Sequence, residues 1–102
     1  MEIRAEINTK LKEALKSKDQ VAMSTIRLIM AAMKDRDITA RASGKAEGIS
    51  NDEILSMLQT MVKQRQESYK TYKDADRMDL ANREKAEIEV IQSFMPKQLN
   101  EK

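Results

Sequence analysis

A chain of 102 residues has room for one small hydrophobic core, and 40% apolar against 35% charged residues supplies that core under a charged surface, which excludes a disordered chain. Two glycines and one proline leave almost no turn chemistry for hairpins, while Ala, Leu, Met, Glu, Lys, Gln and Arg dominate, so the class is all-α. The absence of Cys and His removes disulfides, thiolate chemistry, the commonest general base and a leading zinc ligand, and a net charge of +2 restricts any polyanion-binding surface to a local patch.

Four helices are predicted in chain order, packed as a small four-helix bundle-like domain over residues 1–102. In the first, about residues 2 to 17, Ile3, Ile7, Leu11, Ala14 and Leu15 recur at helical spacing, with Lys16 and Lys18 at the negative end of the helix dipole. Asp19 is placed to cap the second, in which Val21, Thr25, Leu28 and Ala32 form one line and Ala22, Ile26, Ile29 and Met33 the next, a broad apolar face that suits a central helix. Gly44 and Gly48 among polar neighbours mark the longest loop, roughly residues 40 to 49. Ser50 and Glu53 spell a capping box behind a staple residue, Ile49, and open the third helix, whose stripe runs Ile54, Leu58, Met61, Arg65, Tyr69, Tyr72. "DADRMD" is a polar elbow, and the last helix, about Asp79 to Phe94, carries Leu80, Glu84, Ile88 and Ile91 in line, closed by Pro96. The expected core is Ile7, Leu11, Ile26, Ile29, Leu58, Val62, Ile88 and Ile91. The longest apolar run, Leu28 to Met33, is far short of the roughly 20 residues that span a bilayer, so no membrane is expected.

Arg65 interrupts the stripe of the third helix, and Glu84, with Glu87 beside it, interrupts that of the fourth. Three readings are open for Arg65: a stem laid on the core with its guanidinium in solvent, a structural ion pair with Glu84 or Glu87, or a binding role.

Catalytic constellations are poorly supplied. Asp35 with Asp37, or Glu84 with Glu87, could be drawn as paired carboxylates, yet acid–base catalysis requires a cleft and a perturbed pKa, neither of which a sequence shows, and solvated or ion-paired faces are the favoured account. Ser24 and Ser68 have no histidine partner. "SGKAEG" lacks the upstream glycine of a phosphate loop and has Ala46 where Ser or Thr should follow the lysine. No cofactor and no metal site is expected. Met57 and Met61 are core filler or part of an adaptable partner groove. Between residues 57 and 73, Lys63, Arg65, Lys70 and Lys73 stand against Glu67 alone, a local basic surface, with Lys10, Lys12, Lys16 and Lys18 a second. With three aromatic residues, base stacking on single strands is poorly supplied.

"STIRLIMAAM", "DEILSMLQTMVKQRQES" and "ADRMDLANREKAEIEVIQSFMPKQL" together resemble the YqeY family, which is related to the tail region of the B subunit of tRNA-dependent amidotransferase. The resemblance covers nearly the whole chain and corresponds to the N-terminal helical half of the family, the C-terminal subdomain being absent. It implies a helical fold, a cytoplasmic setting, and a link to carbon–nitrogen ligase activity with glutamine as amido-N-donor, which these residues alone are not equipped to perform. Its pattern positions here are Arg27, Lys63, Gln64, Arg65, Arg77, Glu84, Glu87 and Pro96. Two function classes follow: a noncatalytic accessory module that binds tRNA or structured RNA through Arg27, Lys63, Gln64, Arg65, Lys70 and Arg77, or a protein–protein interaction module with no nucleic-acid role. The oligomeric state is left open.

Overall fold

Four helices and no strand make up the described residues: α1 (Ile3–Ser17), α2 (Gln20–Ala42), α3 (Asn51–Asp74) and α4 (Met78–Gln92). The fold is all-α, a small bundle-like domain. The computed structural model describes residues 2–95; the closure of the last helix by Pro96, and the Pro-Lys-Gln-Leu end of the family motif, lie outside the described residues.

Local chemistry sets the helix ends. α1 closes on Lys18 in the left-handed region (φ 60), which lets the Asp19 N–H reach the Ala14 carbonyl at 3.0 Å. Asp19 then caps α2 by accepting from the Ala22 N–H at 3.1 Å. α2 runs to Ala42, past the expected fade near residue 40, because Ala40 is buried in the core and its carbonyl takes the N–H groups of Ser43 and Lys45. The loop is therefore 43–50. Ser50 Oγ accepts from the Glu53 N–H (3.2 Å) and Glu53 Oε1 from the Ser50 N–H (2.9 Å), a complete capping box. At the elbow, Asp76 takes a left-handed conformation (φ 61), which a short polar side chain tolerates, and α4 starts one residue earlier than predicted. It also ends earlier, at Gln92, and the freed Phe94 turns inward to 1% exposure.

α3 and α4 form one tightly packed hairpin, α1 and α2 the other, and α4 also packs on α2. The core between them holds Ile7, Ile26, Ile29, Ile54, Met57, Leu58, Ile91 and Phe94, all essentially buried. Each such side chain contributes about 1.5–3 kcal/mol on removal from water. Leu11 and Ile88 pack against this core without being fully enclosed. Two stripe residues depart from expectation. Leu15 and Leu28 are 49% and 47% exposed: α1 turns Ile3, Ile7 and Ala14 inward and leaves Leu15 outside, and α2 turns the line of Ile26, Ile29 and Met33 inward and carries Leu28 to its outer side. Thr25 is completely buried, and its hydroxyl has no partner among the described residues.

Candidate functional site

The inward charges of α3 and α4 meet. Arg65 and Glu87, 22 positions apart and centred on the elbow residue Asp76, face each other as equidistant positions of an antiparallel hairpin do. Arg65 Nε donates to Glu87 Oε1 at 2.9 Å and Nη1 donates to the Met61 carbonyl at 3.2 Å, while Arg83 Nε reaches Glu87 Oε2 at 3.4 Å from the solvent side. The Arg65 and Glu87 side chains are 16% and 11% exposed, so this is a desolvated pair in the hairpin seam. Glu84 takes no part in it. Its half-buried carboxyl is pushed above the ordinary carboxylate range, first by burial and then by the neighbouring Glu87 charge, against the opposing pull of Arg65 and Arg83.

A second node joins α1, α2 and the loop, and sequence reasoning missed it. Arg4 Nη1 and Nη2 donate to Asp37 Oδ2 and Oδ1 at 2.9 and 2.6 Å, a two-pronged pair, and Nη2 also reaches the Ile49 carbonyl at 3.0 Å. The Ile49 N–H donates to Asp37 Oδ1 at 2.9 Å. Hydrogen bonding from Arg4, aided by that backbone N–H and opposed by burial, holds the Asp37 carboxyl down at about 2. Gly48 makes the approach feasible: it sits at φ +84, and a Cβ there would collide with Asp37 Oδ1. The available signal was Asp37 itself, which extends the inward line Ile26, Ile29, Met33 by one further helical step before Ala40.

The other candidate residues do not form one patch. Arg27 lies exposed on α2, and Gln64 is exposed on α3 to one side of Lys63. Arg77 stands at the elbow, its guanidinium on the Asp79 carboxylate at 3.2 and 3.3 Å. Lys63 and Lys70 do share a line. The helical period of about 3.6 residues aligns them with Gln59, Gln66 and Lys73, a row about 21 Å long, and all five are exposed. None of its three lysines is in an ion pair with a described residue, and Glu67 and Asp74 stand only at its margin. Met57 and Met61, 2% and 8% exposed, belong to the core, and Met57 also lines an open groove between α2 and α3.

Ser24 Oγ donates to the Val21 carbonyl of its own helix, and among the described residues no group of three or more carboxylates is placed to hold a metal ion. An open groove between the second half of α2 and the first half of α3 is lined by the charged Asp35, Arg36, Lys45, Asp52 and Glu53 as well as by hydroxyl residues; the hydroxyls of Thr39 and Thr60 are bonded to carbonyls of their own helices and that of Ser43 to the Thr39 carbonyl. No helix among the described residues is long and apolar enough to cross a membrane.

A family model described as Yqey-like protein matches residues 4–102. A curated relative from Pyrenophora tritici-repentis, named Altered inheritance of mitochondria protein 41, mitochondrial, is 34% identical over 85 residues, covering 82% of this chain and 44% of the relative. The protein of the same name from Lachancea thermotolerans is 29% identical over 91 residues, 89% of this chain and 46% of the relative. An uncharacterised protein of Schizosaccharomyces pombe is 24% identical over 95 residues, 92% of this chain and 72% of that one. The chain thus spans under half the length of the two proteins named for mitochondrial inheritance. Their names also overturn the expected cytoplasmic setting, since these relatives are mitochondrial.

Proposed function

The chain belongs to the YqeY-like family, and on that premise we propose that it is a noncatalytic accessory module that holds tRNA or another structured RNA by its backbone. The observation that carries the reading is the exposed row Gln59, Lys63, Gln66, Lys70 and Lys73 on α3. It offers amide and ammonium donors, which suit phosphates and 2′-hydroxyls, and it presents neither an apolar side chain nor an acid along its line. Tyr69 and Tyr72 are half-buried and Phe94 is buried, so recognition rests on the shape and charge of a folded RNA rather than on stacked single-stranded bases. The kinship of the family with the tail of the amidotransferase B subunit supports a holding role beside chemistry done elsewhere.

Total tRNA titrated against the full chain across a salt series tests this. Binding is expected to fall with salt, and replacing Lys63, Lys70 and Lys73 together by Gln should make the slope of log affinity against log salt shallower by about 2 to 3 units. Absence of salt-dependent binding would remove RNA from the reading. Glutamine-dependent ammonia release by the pure chain, lost on substituting Ser24 or Ser68, would remove the word noncatalytic.

A further inference from the structure

The outer side of α2 differs in kind from the row on α3. Two adjacent lines run along it: Arg27, Lys34 and Arg41 at seven-residue spacing, and beside them Leu28, Ala31 and Ile38. All six are exposed, and Ile38 and Leu28, at 57% and 47%, are two of the largest apolar side chains left in solvent. Arg41 is steadied by donating to the Ala46 carbonyl at 3.2 Å, and neither Arg27 nor Lys34 is paired with a described residue. The one acid within this surface, Asp35, stands one heptad after Leu28 and between Ala31 and Ile38 along the helix, so the face carries three cations against one carboxylate.

We infer that this face is the docking surface for an acidic amphipathic helix of another protein. Repetition of the cations at seven residues along a helix of about 34 Å is the register that a partner helix reads, and the small Ala31, seven residues before Ile38, lets a second backbone come close. The partner's apolar side chains seat on Leu28, Ala31 and Ile38, and its carboxylates meet Arg27, Lys34 and Arg41. Charge decides among the other occupants. A second copy of this face would set three cations against three cations, and a nucleic-acid backbone gains nothing from covering Ile38. An anionic bilayer calls for a wider apolar sector with aromatic anchors, whereas this face has two large apolar side chains and no aromatic.

The probe is a synthetic helical peptide with Leu on one heptad line and Glu flanking it, beside a Glu→Gln version and a scrambled version of the same composition, each titrated by fluorescence anisotropy. The patterned acidic peptide should bind the full chain and weaken with salt. Ile38→Ser and, separately, Lys34→Glu should each weaken it at least about tenfold with melting temperatures unchanged. The Gln version should lose a similar factor. Equal binding of the scrambled peptide, indifference to Ile38→Ser, or no binding at all would overturn the inference. So would an Ile38-dependent self-association, or Ile38-dependent binding of phosphatidylserine vesicles or duplex RNA.

Discussion

Two partly buried ion pairs tie the helices of this molecule, and they are anchored differently. At the α1–α2 end, Asp37 is gripped by both prongs of Arg4 and by the Ile49 backbone N–H, and the loop carbonyl of Ile49 ties back to Arg4. In the α3–α4 hairpin, Glu87 meets Arg65 through one hydrogen bond and a second arginine, Arg83, from solvent. The first acid is fixed by backbone as well as side chain; the second is held by side chains alone. Losing the acid should therefore cost more at Asp37, where the buried Ile49 N–H is also left without its acceptor.

The largest effect is expected at the residue that permits the tighter node. Gly48→Ala combines a positive φ with a Cβ that collides with the Asp37 carboxylate, and should lower stability by about 4 kcal/mol, the sum of roughly 1 for the backbone and 3 for the broken pair. Denaturant unfolding measures it, and a loss under about 1 kcal/mol would show that the loop can retreat from Asp37 without consequence. Next in size, Asp37→Ala should cost about 3 kcal/mol and Glu87→Ala about 2, since only the first also strands a buried backbone donor, the Ile49 N–H. Arg65→Met keeps the packed stem and should cost only about 1 kcal/mol; combined with Glu87→Gln it should recover part of the single losses, giving a clear coupling energy. Equal costs at Asp37 and Glu87 would erase the distinction between them.

Titration sharpens the same contrast. The Asp37 carboxyl lies below its unfolded value, so its contribution is complete above about pH 4 and is lost as pH falls toward about 2. Glu84 has the opposite sign: its folded value is raised, so it penalises the folded state once pH has risen through that value, and the penalty vanishes in acid. Glu84→Gln should accordingly stabilise at neutral pH, by under about 1 kcal/mol, and gain nothing near pH 3. Thermal melts of the wild type, Asp37→Ala and Glu84→Gln at the two pH values separate these directions, and a Glu84→Gln gain that persists in acid would point to packing rather than charge.

What could be read from the sequence divides along the same line. Helix periodicity announces Arg65 and the carboxylates of α4 because each lies on an apolar stripe of its own helix, and caps such as Ser50 with Glu53 are local enough to be seen in four residues. Arg4, at the very start of α1, has no stripe to interrupt, and Gly48 looks like any loop glycine until Asp37 is brought beside it by the fold. Leu28 was misassigned for a related reason: α2 carries two adjacent apolar lines, and only its packing against α1 and α4 decides which one turns inward. The row of lysines on α3 was legible as charge, but its separation from Arg27, Arg65 and Arg77 required knowing which of those cations were already engaged or on another helix.

Lys63 and Arg65, two residues apart on α3, test the account most directly, since one is proposed to meet RNA and the other sits in the hairpin seam. Thermal melts and tRNA salt titrations should be run on Lys63→Gln and Arg65→Met side by side. The account predicts an unchanged melting temperature with a salt slope shallower by about 1 unit for Lys63→Gln, and a lowered melting temperature with the slope intact for Arg65→Met. The reverse pattern, with Arg65→Met melting like the wild type while its tRNA slope flattens, would contradict it.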